Sequence, residues 1–348
     1  MKQSSLSLTS AFGVLFIGIA AAAGLLCPAP EAPAPGPPAT GRPVHTYSIV
    51  ARDPANGQLG VAVQSHWFSV GTVVSWAEAG VGAVATQSLA EVSYGPLGLE
   101  LMRAGKTASQ ALTSLLAGDP QREVRQVAMV DAKGNVAVHT GSRCIAEAGH
   151  TRGKQYSVQA NLMEKDTVWD AMAHAYERTQ GDLAQRLLAA LDAAQAEGGD
   201  IRGKQSAAIL IVSGTSTGRP WADRVVDLRV DDSPEPLGEL RRLVDVHRAY
   251  EHMNEGDARL AESDVDGAMS EYAAAAQMLP NNVEVKYWAA ITMITAGREK
   301  EAMPYFREVF AKNRNWLEVT RRLPASGLLP EDPGLIEKIL GAAPMKKR

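Results

Sequence analysis

The chain has little that would tie its fold together covalently or draw it to a charged polymer. Only two of its 348 residues are cysteine, Cys27 and Cys144. If Cys27 is lost or modified with the N-terminal segment, Cys144 stands alone, which excludes an intramolecular disulfide and leaves stability to the core. Against 39 acidic residues there are 35 basic ones, and the net charge of -4 supplies no cationic surplus for nucleic acid. A phosphate loop is also lacking: Gly105-Lys106-Thr107 resembles the end of one, but Glu100 stands where the earlier glycine is needed and a helix precedes it. His139, Cys144 and His150 have no metal-ligand spacing, and a lone cysteine is mostly a small apolar filler. Asp231-Asp232 with Glu235 reads as a solvated linker rather than a calcium site. No cofactor and no metal are expected.

What is present begins with a leader. In residues 1–26 Lys2 is the only early charge, Ala11 to Leu26 is apolar, and Ala21-Ala22-Ala23 offers small residues for cleavage. The expectation is an exported protein, periplasmic or extracellular; an uncleaved membrane anchor is the competing reading. Cys27 occupies the place of a lipid-attachment residue, although Leu26 before it is larger than the small residue such signals want. Residues 27–43 hold seven prolines among Ala, Gly and Glu, the composition of a semi-extended tether.

A folded region of α+β class is predicted over residues 44–232. Its first strand, Val44 to Ala51, alternates Val44, Thr46, Ser48 and Val50 with His45, Tyr47, Ile49 and Ala51, the pattern of a half-buried strand. Asp53-Pro54-Ala55-Asn56-Gly57 follows as a turn, with an Asn-Gly pair suited to positive φ, and Leu59 to Gln64 completes a hairpin. Further strands are predicted at Gly71 to Trp76, Val81 to Thr86, Arg125 to Val130, Val136 to Thr140, Tyr156 to Leu162, Ser206 to Ser213 and Arg224 to Val230. Helices are predicted at Tyr94 to Ala104, at Thr107 to Leu116 with Thr107 as N-cap, at Asp166 to Arg178 and at Leu183 to Ala196. Strands, two helices, strands, two helices, strands is the order of sheets layered between helices.

From Pro236 strand signals stop. Ala268 and Tyr272 recur as Ala302 and Phe306, 34 residues on, which is the tetratricopeptide period: the small residue admits a close helix and the aromatic fills the groove. A helical domain is therefore expected over residues 236–345, packed on the first domain or paired with another chain as a homo-oligomer, and offering a surface to a protein partner.

The hairpin start, Val61 to His66, Gly80 to Gln87, Arg125-Gln126-Val127, His139 to Cys144 and Gly203 to Ala207 together resemble the domain of unknown function 1028 family, placed in the N-terminal-nucleophile (Ntn) hydrolase superfamily. The resemblance implies a four-layer αββα sandwich in which the first residue of the first strand, a Ser, Thr or Cys, is the nucleophile. Family members without a leader begin at a hydroxyl residue aligned with Thr46. Here Thr46 follows a leader, a tether and His45, and the glycine that often precedes such nucleophiles is missing, so any activity is conditional on cutting before Thr46.

Polar residues at strand ends near the hairpin are the candidates for support. Thr46, His66 and Asn161 form the expected catalytic set: His66 as a neutral imidazole that orients substrate or relays a proton, Asn161 as an amide donor to an oxyanion. Arg52, Gln64, Ser65, Ser88 and Arg143 are expected to bind substrate, Arg143 through a carboxylate. Against each stands a purely structural reading, a satisfied hydrogen bond or a solvated charge. The function expected is hydrolysis of an amide bond in a small or peptide-like molecule. Its alternative is a non-catalytic envelope protein, with the sandwich as platform and the repeats as partner site.

Overall fold

The computed structural model describes residues 45–344; the leader, Cys27, the proline-rich tether and Val44 lie outside the described residues. The chain opens with β1 (Thr46–Arg52) and β2 (Leu59–Ser65), joined by the predicted turn. Asp53 closes that turn by accepting from the amides of Gly57 and Ala55, and Gly57 takes the φ of +78° that suits a glycine. A helical turn α1 (Gly71–Val74), β3 (Ser75–Glu78) and β4 (Gly82–Ser88) follow, then the helix pair α2 (Tyr94–Arg103) and α3 (Ala108–Gly118). Next come β5 (Arg125–Asp131), β6 (Val136–Thr140), β7 (Gly149–Gly153) and β8 (Tyr156–Ala160), a second helix pair α4 (Val168–Arg178) and α5 (Leu183–Ala196), and β9 (Ser206–Val212) with β10 (Arg224–Val230).

Two elements differ from the expected order. Gly71 to Trp76 reads as a strand because Val73 and Val74 are β-branched, yet Gly71–Val74 is helical and pairing starts only at Ser75. A Cβ on Gly71 would stand 2.5 Å from the Ala208 Cβ, so the backbone lies directly on β9, and tertiary packing overrides local preference. The second is β7, which was not foreseen. Its Gly-His-Thr-Arg-Gly sequence carries no apolar alternation; it is an edge strand held by pairing with β8.

The strands form two antiparallel sheets, β10-β9-β2-β1-β8-β7 and β3-β4-β5-β6. Between them lies an aliphatic layer including Val50, Val61, Val63, Ala85, Ala128 and Val130. On the outer face of the larger sheet α4 and α5 bury Tyr47, Ile49 and Val158 against Met172, Leu187 and Leu191. On that of the smaller one α2 and α3 cover Val84 and Met129 with Leu99, Met102 and Leu112. The four layers are thus helices, sheet, sheet, helices, as expected. Thr107 caps α3 in a reciprocal box with Gln110, which is what the threonine of the false phosphate motif does.

Because β1 is paired on both sides and covered on both faces, it is wholly buried except at Arg52. The half-buried strand predicted from its hydroxyl residues is therefore corrected: Thr46 and Ser48 are 0% exposed.

The helical region runs α6 (Pro236–Ala261), α7 (Val265–Met278), α8 (Val283–Thr295), α9 (Glu299–Lys312), α10 (Asn315–Arg322) and α11 (Pro333–Gly341). Both repeated pairs, Ala268 with Tyr272 and Ala302 with Phe306, are buried. The first half of α6 puts Leu237, Leu240 and Val244 into the same core as α5, β9 and β10, so the region is packed on the sandwich from its first turn.

Candidate functional site

Strand alternation divides β1. Ile49 and Tyr47 face the helices, while Ser48 reaches the opposite sheet, its hydroxyl 2.5 Å from Gln87 Oε1. Thr46, two residues earlier, shares the Ser48 face at the end of the strand, across from Ser65 in the register of β2. Its carbonyl accepts from the Asn161 amide at 3.1 Å and from Gln87 Nε2 at 3.1 Å.

The residue before it is held more elaborately. The His45 carbonyl accepts from the Ser65 hydroxyl and from Arg202 Nη2 at 3.0 Å. Arg202 is in turn gripped by Asp200, Nε to Oδ1 at 3.0 Å and Nη2 to Oδ2 at 2.7 Å, in the two-point geometry that suits guanidinium and carboxylate. Asp200 is 3% exposed and also accepts from the His66 amide. The His45 ring places Nδ1 2.8 Å from Asn161 Oδ1. Burial pushes the His45 pKa below its ordinary 6.5, against the Asn161 bond that raises it and with the Arg202 charge that lowers it. The imidazole is neutral at neutral pH.

Behind these residues a chain of buried amides crosses from sheet to sheet. Gln87 Nε2 donates to Gln126 Oε1 at 2.7 Å, Asn161 Nδ2 to the same oxygen at 2.9 Å, and Gln126 Nε2 to Thr140 Oγ1 and the Ala160 carbonyl, both at 2.9 Å. Gln159 Nε2 joins through Ser48 Oγ at 2.5 Å. Gln87, Gln126, Gln159 and Asn161 are all 0% exposed. A network so satisfied among fully buried residues fixes the strand ends relative to one another.

Of the residues singled out from sequence, the structure brings Thr46, Ser65 and Asn161 together, with His66 next in the chain but exposed. Gln64 lies across from Tyr47 on the helix-facing side, where it accepts from the Tyr47 hydroxyl. Arg52 is at the opposite end of β1, about 20 Å away at ~3.3 Å per residue. Its guanidinium donates to the Ala132 carbonyl at 2.8 Å and Gln155 Oε1 at 2.6 Å. Ser88 ends β4 in a left-handed conformation, φ +70°, with its hydroxyl buried near the Cys144 thiol. Arg143 is exposed in the loop after β6, and its amide donates to the Glu123 carbonyl.

Asp200, Arg202, Gln87, Gln126 and Gln159 were not foreseen. Glutamine inside otherwise apolar strands was the available signal for the amides; the Asp200-Ile201-Arg202 loop has no pattern, because its meaning depends on contact with a residue 157 positions away.

The motifs set aside have separate structural duties. His139 Nε2 meets the Arg122 carbonyl at 2.8 Å, His150 Nδ1 meets Thr140 Oγ1 at 2.9 Å, and the Cys144 thiol donates to the Arg125 carbonyl. Burial pushes the Cys144 pKa up, the direction that disfavours a thiolate nucleophile. Among the described residues no cluster of three or more His, Cys, Asp or Glu side chains is arranged to hold a metal ion.

The fold defines a class: a layered αββα sandwich whose central strand begins at a hydroxyl residue, extended by helical repeats. The sequence pattern of DUF1028, a family of unknown function, matches residues 46–240, and the chain belongs to that family. A tetratricopeptide-repeat pattern matches residues 259–321. The crystal structure of protein SPO2555 from Silicibacter pomeroyi, a DUF1028 protein, is similar at a TM-score of 0.51 and 30% identity, over 57% of this chain and 88% of that one. No curated protein matches the chain significantly.

Proposed function

We propose that the chain is an exported amide-bond hydrolase of the N-terminal-nucleophile type, acting on a small or peptide-like substrate through Thr46. The observation that carries this reading is the position of Thr46: first residue of the central strand, at a strand end where Ser65 and Asn161 meet it, and first residue of the family match. Joined to His45 its nitrogen is a peptide amide and no base. Freed, it becomes an α-amine with a pKa of about 7.7–8.0, able to take the proton of the adjacent hydroxyl near neutral pH. One residue then supplies nucleophile and base. In this reading Asn161, beside the Thr46 carbonyl, orients the reacting groups, and His66, exposed next to Ser65, meets substrate.

Intact-mass and N-terminal analysis of the protein recovered from its own cell tests the reading. A chain starting at Thr46, with amide hydrolysis lost on Thr46→Ala, supports it; a chain that starts near Gly24 or Cys27 and stays there removes it. That second outcome fits the non-catalytic alternative, an envelope platform that recruits a protein partner through its helical repeats. The shared core of α6 and the sandwich favours this alternative in one respect, since it mounts the repeats rigidly.

A further inference from the structure

The two sheets are unequal. The larger has six strands and the smaller four, and β3, an edge strand of the smaller, lies over β2 and β9. β10 therefore projects past it as a ledge. Val226 and Val230 of β10, with Leu228 packed beside them, turn to the helices, so alternation sends Asp227 and Arg229 to the other face, across from Leu210 and Ala208 in the register of β9. That face would be core if the smaller sheet reached over it; uncovered, it carries charge. Between it and the free edge of β3 runs a groove of two adjoining cavities, each of about 290 Å³, with Ala77 and Arg224 lining both.

The cavity at the start of β3 offers donors without acceptors. Gly71 and Thr72 of α1 wall it at that end. A Cβ on Gly71 would stand 3.0 Å from Arg229 Cδ, so the bare glycine backbone is a bed for the arginine stem. Of the three charges on the ledge Arg224 and Asp227 cancel, Nη1 to Oδ2 at 2.8 Å, whereas the Arg229 guanidinium makes no hydrogen bond or ion pair among the described residues. In the same cavity the Ser75 hydroxyl oxygen is buried and also unpartnered among the described residues. A free guanidinium fork beside a free hydroxyl suits a carboxylate. The rest of the groove has the length of a strand: β3 spans four residues, ~13 Å at ~3.3 Å per residue. As an edge strand it turns every second N–H and C=O away from β4, where a further strand can pair.

We propose that this groove binds the C-terminal segment of a partner protein as an added antiparallel strand on β3, its terminal carboxylate held by Arg229 and Ser75. The direction follows from the layout. β3 runs away from α1 and the free charge lies at the α1 end, so a chain that ends there runs against β3. Because α1 walls that end, the groove suits a chain terminus rather than a passing segment. Backbone pairing along β3 supplies affinity, and the carboxylate fixes the register. β9 and β2 stand between β10 and β1, so the proposal does not rest on the hydrolase reading.

The test passes two mixtures of random pentapeptides, one ending in a free carboxylate and one in a carboxamide, over the immobilised full chain, and reads the retained peptides by mass spectrometry. The acid mixture should be retained about tenfold or more above the amide mixture. For the best-retained peptide, Arg229→Ala should weaken binding about tenfold or more, with Arg229→Lys and Ser75→Ala weakening it less. N-methylation walked along that peptide should abolish binding at alternate residues and spare those between, the signature of strand pairing. Thr46→Ala should bind like the wild type. Arg229 is exposed and Ser75 Oγ is unpartnered, so the variants keep the fold, which melting curves check. Equal retention of the two mixtures, wild-type affinity in folded Arg229→Ala, N-methyl sensitivity without alternation, or retention of neither mixture overturns the proposal. So does loss of binding in Thr46→Ala, which would place the peptide at the start of β1 and leave the hydrolase reading standing.

Discussion

Along β1 the layer between the sheets changes character, from aliphatic at Val50 to hydroxyl and amide at Ser48 and Thr46. Buried polar groups of this kind are stabilising only as a complete set, because each lost partner strands the others in a medium without water. Gln126 is the hub. Replacing it by Leu leaves Asn161, Thr140 and the Gly149 and Ala160 carbonyls short of a partner, and should cost about 1–3 kcal/mol for each group left unsatisfied, read as a lower urea midpoint. Gln87→Leu touches the same set, so the double variant should lose less than the sum of the single losses. His45 adds a pH dependence. Its folded pKa lies below its ordinary 6.5, so the unfolded chain binds the proton first as pH falls. The stability of the uncut chain should therefore be full above pH 6.5 and decline as pH drops through the lowered value. Melting temperatures measured against pH should slope less in His45→Ala, with His150, lowered in the same direction by burial, supplying part of what remains.

At the level of elements the outcome of each prediction follows from where its information resides. Strands such as β5 and β9 were readable because their apolar runs are long and bounded by turns. β7 was not, because its only reason to be a strand is its neighbour. The α1 and β3 segment was misread because the close approach of Gly71 to Ala208 lies outside any local window. Helix α6 makes the most consequential point, since one continuous helix serves both the sandwich and the repeats. Three of its side chains, Leu237, Leu240 and Val244, are buried in the sandwich core, and burial of each contributes roughly 1.5–3 kcal/mol. The ion pairs Arg241 with Asp192 and Arg248 with Asp182 add little by comparison, being partly exposed. A chain ending at residue 235 should consequently aggregate or bind a hydrophobic dye, whereas one ending at Arg248 should stay soluble and fold. Light scattering and dye fluorescence of the two truncations check this.

For the whole molecule, the helical stack is a second, separately packed core. Phe306 is fully buried beside Tyr287 and Phe310, and α10 and α11 close the stack through Leu317, Leu323 and Ile339. Phe306→Ala should remove about 3–5 kcal/mol from that core. Because the sandwich keeps its own aliphatic layers, hydrogen exchange should accelerate in α8 and α9 while β1 and β2 stay protected. The sequence by itself determined the strand and helix order apart from β7 and the α1 and β3 segment, together with the layered class, the repeat period and the place of Thr46 near the start of the first strand, since periodicity, turn residues and a 34-residue spacing are local or self-similar signals. Only the tertiary structure decided that β1 is buried on both faces, that Arg52 stands apart from Thr46, and that Arg202 with Asp200 reaches the His45 carbonyl. Those facts depend on which strand ends meet, and meeting is settled by pairing between segments more than a hundred residues apart.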